Sequence, residues 1–171
     1  MISDVCPFDD VDYAKELLRA MIPLKKKWGG LATTKITSDP ELFELLVRSG
    51  CGFLLVGFES ISQRSLNKIH KGFNARESYD EVVRRLRQAR IIVQGCFVFG
   101  FDDDNTDVFA ATVDEVQRLK IDIPRYSIYT PYPGTHLFRR LHAEGRILSY
   151  DWGDYDTMHV VFQPKQMSPV E

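Results

Sequence analysis

Gly52-Phe53-Leu54-Leu55-Val56-Gly57-Phe58-Glu59-Ser60 is the stretch on which the fold turns. Apolar residues run without a polar break, a glycine stands at each end, and an aromatic and an acid–hydroxyl pair close it. Unbroken apolarity over so short a run fits a strand covered on both faces, as parallel strands of α/β proteins are. In such folds the carboxyl ends of strands meet the ligand, and Glu59 and Ser60 fall there. Capping of the next helix is the plainer role for Glu59.

On both sides the pattern alternates between helix and strand. Upstream, Asp9 or Asp10 can cap a helix carrying Tyr13, Leu17, Leu18 and Met21, and Met1–Val5 reads as a short or incomplete strand. After Gly29-Gly30, the half β-branched Leu31–Ile36 predicts a strand. Asp39-Pro40 then predicts a helix start, with the acid as N-cap and proline in the first turn. Downstream, Asn74 with Glu77 resembles a capping box before a helix built on Tyr79, Val82, Val83 and Leu86. Ile91–Gly100 reads as a second buried strand, with Gly95 at a bulge or close approach. Asp102–Asn105 reads as the cap of the next helix, and Arg125–Thr130 as a further strand. Leu137, Phe138 and Leu141 mark a last helix ended by Gly145, and Met158–Phe162 a final strand. Connections of this length demand a parallel sheet, either barrel-like or doubly wound. Five or six strands fall short of an eight-unit barrel, which takes about 250 residues.

Composition narrows the function. The chain has 171 residues and a formal net charge of −2, so no basic excess favours nucleic acid or a membrane surface. No apolar run approaches the roughly 20 residues of a membrane span. Cys6, Cys51 and Cys96 are widely spaced, which fits reduced thiols of a cytoplasmic protein and no metal-ligand pattern. His70, His136, His142 and His159 are isolated. The acids of Asp102-Asp103-Asp104 are better explained by a helix dipole than by a cation. Dinucleotide, Walker and nucleophile-elbow motifs are absent. Thr33, Thr34 and Lys35, then Glu59 and Ser60, then the backbone around Phe97–Gly100 stand at strand ends. If those strands are neighbours, hydroxyls, an acid and aromatics converge on one mouth suited to a ribose and a flat base. Core packing explains the aromatics equally well.

From Asp4 onward the chain resembles the later part of a radical S-adenosylmethionine (SAM) domain, of the group usually preceded by a cobalamin-binding domain. The residues that carry the likeness are Thr33-Thr34-Lys35-Ile36 with Asp39-Pro40-Glu41-Leu42, and Ser49-Gly50-Cys51-Gly52 leading to Gly57-Phe58-Glu59-Ser60. Lys71-Gly72-Phe73-Asn74, Gly95–Asp102 and Pro131-Tyr132-Pro133-Gly134-Thr135 continue it, with Gly145-Arg146-Ile147-Leu148 and Val160–Pro164. The resemblance implies a partial parallel (β/α) barrel over residues 1–145, from the third strand onward, and a C-terminal extension over 146–171. It implies that Thr34 and Lys35 end the fourth strand near the ribose of SAM. It places Glu59 at the end of the fifth, with Ser60 beside it, and Phe97, Phe99 and Gly100 along the sixth, against the adenine. Gly52, Leu54 and Glu59 match the motif written GxIxGxxE, whereas Val56 replaces its second glycine and Gly57 stands beside it.

The family's CxxxCxxC loop, which ligates the 4Fe-4S cluster, and its Gly-Gly-Glu type segment do not occur in this sequence. The expectation is therefore the C-terminal portion of a radical SAM enzyme. Its parent reaction would be a C–H functionalisation such as methylation, cyclisation or rearrangement, and it would be inactive alone, with cobalamin in an upstream domain. The alternative expectation is a non-catalytic scaffold half-barrel that complements a partner chain carrying the missing strands.

Overall fold

A computed structural model describes residues 2, 7–74 and 78–170. Cys6, Glu77 and most of the Met1–Val5 segment lie outside the described residues. Among the described residues four strands, β1 (Trp28–Thr33), β2 (Cys51–Glu59), β3 (Ile92–Phe99) and β4 (Ile123–Ile128), form one sheet in the order β1-β2-β3-β4. Every neighbouring pair is parallel. Sequential parallel order is that of a barrel wall, because a doubly wound sheet reverses direction at a switch point. The fold is an α/β partial barrel.

Among the described residues six helices precede, connect or follow the strands: α1 (Val11–Met21), α2 (Pro40–Arg48), α3 (Gln63–Lys68), α4 (Tyr79–Gln88), α5 (Asp107–Leu119) and α6 (His136–Ala143). Local chemistry fixes their starts. The Asp10 carboxylate accepts from the Tyr13 amide and the Asp39 carboxylate from the Leu42 amide, at 3.0 and 2.9 Å. Gly50 leaves α2 with φ +92°, and a Cβ there would lie 2.3 Å from the Lys26 carbonyl oxygen, so only glycine fits.

The core lies between the sheet and the helices. Leu54, Val56 and Phe58 of β2 are fully buried and pack with Val93 and Phe97 of β3 and with Leu42, Leu46, Val82 and Leu86 of α2 and α4. The intervening Phe53, Leu55, Gly57 and Glu59 are only half-buried. β2 therefore has one face against the helices and one open face, where the sequence pattern predicts two covered ones.

The boundaries of β1 and β4 and the final strand differ from the sequence expectation. β1 begins at Trp28 and takes in Gly29-Gly30, since a Cβ on Gly29 would stand 2.9 Å from the Phe53 ring. It ends at Thr33, and Thr34–Thr37 form a 3-10 turn, so Thr34 and Lys35 follow the strand instead of ending it. β4 runs through Pro124, which an edge strand tolerates, and stops at Ile128. The Met158–Phe162 segment makes a single antiparallel bridge, Ile147 to Phe162, and no strand.

The acids after β3 do not cap α5, whose N-cap is Thr106. Asp104 Oδ2 instead accepts from the Gly100 and Phe101 amides at 3.1 and 3.0 Å. Asp102 accepts from Arg140 and Arg146 at 2.7 and 2.8 Å, fastening α6 and the following segment to the end of β3.

Candidate functional site

The open face of the sheet is ordered by register. Thr33 of β1 pairs with Gly57 of β2, Gly57 with Cys96 of β3, and Cys96 with Arg125 of β4. One row deeper run Leu31, Leu55, Gln94 and Ile123. Strands stand about 4.8 Å apart, so each row is a continuous strip across four strands, the upper one more polar than the deeper one.

Glu59 crowns this face at the carboxyl end of β2. Its φ is +68°, and the Ser60 amide donates to the Phe58 carbonyl across it at 2.9 Å, the connectivity of a γ-turn with a positive central φ. A non-glycine residue held so costs of order 1–3 kcal/mol, and such strain concentrates at functional sites. The register with β3 slips here, from Gly57 opposite Cys96 to Glu59 opposite Phe97, leaving Phe58 as the extra residue of a bulge that re-aims Glu59. The carboxylate folds back over Gly57, on which a Cβ would come within 2.5 Å of Glu59 Oε1. Lys71 Nζ stands 3.6 Å from that oxygen. Gly57, not position 56, is thus the glycine the acid requires, and Val56 is buried on the helix side.

Two buried side chains hold the turn. Asn74 Nδ2 donates to the Gly57 and Phe58 carbonyls at 2.9 and 3.2 Å, and its Oδ1 accepts from Thr34 Oγ1 at 2.5 Å. Asn74 thereby ties the ends of β1 and β2 together instead of capping α4, whose N-cap is Ser78. The Tyr79 hydroxyl lies 2.8 Å from the Phe58 carbonyl and 3.0 Å from that of Ser60.

Of the residues singled out in the sequence, Glu59 and Thr33 are on the open face. Thr34 is buried on Asn74. Lys35 is exposed, its Nζ 4.3 Å from the centre of the Phe73 ring. Ser60 is buried and accepts from the Ser62 amide. Phe97 stacks on Phe58 in the core at 5.5 Å, and Phe99 on Tyr126 at 5.6 Å, its edge toward Phe109 of α5. Gly100 has φ +99° and its amide is engaged by Asp104. These residues back the mouth. Thr33, Leu55, Gly57, Gln94, Cys96 and Arg125 line the open face, and period-two counting back from Glu59 along a parallel register could have found them.

Among the described residues the two cysteines, Cys51 and Cys96, are too far apart to share an iron–sulfur cluster. Cys51 opens β2, and burial pushes its thiol up to about 12. Cys96 stands opposite Gly57, six residues further along, which is about 20 Å of strand. Burial raises the Cys96 thiol as well, against the pull of Arg125. Among the described residues no group of three or more His, Cys, Asp or Glu could hold a metal ion. No helix among them is long and apolar enough to cross a membrane.

No family model matches the chain. It is 39% identical over 155 residues to bacteriochlorophyllide d C-12(1)-methyltransferase of Chlorobaculum tepidum, covering 91% of this chain and 34% of that protein. Over 159 residues it is 26% identical to the anaerobic magnesium-protoporphyrin IX monomethyl ester cyclase of Cereibacter sphaeroides, covering 92% of this chain and 26% of the cyclase. The chain thus spans about a third or less of these curated relatives. Its fold superposes, with TM-score 0.73 and 19% identity, on the radical SAM methyltransferase TsrM of Kitasatospora setae, solved with cobalamin and a [4Fe-4S] cluster. That match covers 82% of this chain and 29% of TsrM. Sequential parallel strands, a strained acid at the end of β2 and these relatives place the chain in the radical S-adenosylmethionine enzyme family.

Proposed function

We propose that the open face of the sheet is the wall against which a radical SAM methyltransferase holds the nucleoside of SAM, and that the parent reaction modifies a cyclic tetrapyrrole. The observation that carries this reading is Glu59, a carboxylate held at positive φ over a glycine, at the mouth of a half-buried strip. Glu59 accepts hydrogen bonds from the cofactor's polar edge, Gly57 lets the backbone approach, and Leu31 and Leu55 exclude water beneath. Asn74 and Tyr79 position the Glu59 turn. Methyltransferase and cyclase relatives, both acting on tetrapyrroles by name, support the reaction class. Cobalamin, present in the TsrM structure, is the expected second cofactor of the parent enzyme.

In this family a reduced 4Fe-4S cluster supplies the electron that cleaves SAM. The CxxxCxxC loop that ligates it is not in this sequence, so on this reading the cluster comes from elsewhere. Given ferrous iron, sulfide and dithionite, the chain is expected to form no 5′-deoxyadenosine from SAM. Turnover by the purified chain would contradict this.

Equilibrium dialysis tests the wall itself. Glu59→Gln keeps the shape and removes the charge, and is expected to weaken SAM binding about tenfold, the worth of one charge-assisted hydrogen bond. Equal affinity in both proteins, with unchanged circular dichroism, would remove Glu59 from the cofactor site.

A second reading keeps the sheet and drops the cofactor. Ile92 and Ile123 are 49% and 44% exposed on the same face, as a half-barrel completed by a partner chain would leave them. A monomer in size exclusion that needs no partner for solubility would count against it.

A further inference from the structure

Beside the Glu59 turn the chain opens into a second hollow of roughly 580 Å³, over the carboxyl ends of β3 and β4. Lys71, which faces Glu59, is preceded by His70, and His70 is on the wall of this hollow. The two mouths are therefore adjacent. Lys68, His70, His136, Arg140 and Lys165 line it, with Asp102 the one carboxylate among the lining residues. Ile69, Tyr129 and Leu137 give it apolar sides.

Its charge runs against that of the chain. Asp102 is shared by Arg140, Arg146 and Lys165. Asp103 holds Arg64 and Lys68, and Glu144 stands against Arg140 and Arg146. Five fixed cations, Arg64, Lys68, Arg140, Arg146 and Lys165, thus face three carboxylates, Asp102, Asp103 and Glu144, in a chain of net charge −2. Lys68 and Lys165 each keep half their side chain exposed. The first turn of α6, His136 and Leu137, adds the positive end of a helix. A net excess of cations around an apolar-sided cup raises the local concentration of an organic anion.

We propose that this cup binds a carboxylate arm of the substrate, a proposal that rests on the open face being the SAM wall. The neighbouring mouths would then hold cofactor and substrate side by side, with the acid arm fixing which edge of the substrate faces the cofactor.

The probes are protoporphyrin IX, which carries two free carboxylates, and its dimethyl ester, titrated into the full chain by fluorescence. The acid is expected to bind about tenfold more tightly than the ester at low salt, and the advantage is expected to shrink at about 0.5 M salt. The double variant His136→Gln with Lys165→Gln, both exposed side chains, is expected to remove most of that advantage while SAM binding stays as in the unaltered chain. Acid and ester binding alike, an acid preference untouched by the double variant, or no porphyrin binding would overturn the cup. So would a loss of SAM affinity in the double variant, which would assign the cup to the cofactor's own carboxylate. Glu59→Gln separates the two readings, because it is expected to weaken SAM and leave the preference for the porphyrin acid in place.

Discussion

Phe58→Ala is expected to destabilise the fold by about 3–5 kcal/mol, the range for emptying a buried aromatic site. Phe58 has no exposed surface. Its ring meets Tyr79 edge-on at 4.8 Å and stacks on Phe97 at 5.5 Å. Gly95 of β3 leaves room for it: a Cβ there would lie 3.2 Å from the Phe58 ring. These neighbours come from β3 and α4, two elements that cannot collapse into the gap without breaking sheet register. Since a domain's whole stability is about 5–15 kcal/mol, the loss is a large share of it. Urea unfolding should show a lower midpoint with the slope retained. A loss below about 1 kcal/mol would mean that the ring is not packed as described.

Asn74→Ala should cost nearly as much, about 2–4 kcal/mol, from a residue outside every helix and strand. Its amide satisfies two strand carbonyls and the Thr34 hydroxyl; the Phe58 and Thr34 bonds are buried and the Gly57 bond is part-buried. Removing the side chain takes a partner from the Gly57 carbonyl and the Thr34 hydroxyl, while the Phe58 carbonyl keeps the Tyr79 hydroxyl and the Ser60 amide. Each buried unsatisfied group costs about 1–3 kcal/mol before relaxation or water entry. Asn74→Asp separates the contributions. It keeps an acceptor for Thr34 but faces the Gly57 and Phe58 carbonyls with oxygen, so it should be no better tolerated than alanine. Because the same carbonyls flank Glu59, both variants should also weaken SAM binding beyond any effect on the folded fraction. An Asn74→Ala chain as stable as the parent and with its SAM affinity would show that the Glu59 turn stands without this brace.

What the sequence made legible was whatever is local. Asp39 caps a helix three residues away and Pro40 sits in its first turn, so the start of α2 could be read directly. Strand β2 announced itself by its apolar run. Which face of it opens could not be read, because Phe53, Leu54, Leu55 and Val56 are alike in hydropathy and only tertiary packing separates them. The role of Asn74 was hidden for the same reason. Its partner Thr34 lies 40 residues away, and nearby Glu77 offered a capping box as a local alternative. Pro124 and Gly29-Gly30 misplaced strand boundaries because both residue types usually break strands, whereas here one lies on an edge and the other admits a neighbouring ring. Glu59 was identified through its place at a strand end. That it is strained, and that Gly57 makes room for its carboxylate, are facts of backbone geometry that composition does not carry.

The most direct test is a methyl spectrum of the leucine- and valine-labelled chain titrated with SAM to saturation. Leu31 and Leu55, on the open face below Glu59, should shift, while Leu54 and Val56, one residue away on the helix side, should stay in place. Shifts at Leu54 and Val56 with Leu31 and Leu55 unmoved, or no shifts at all, would contradict the assignment of that face to the cofactor.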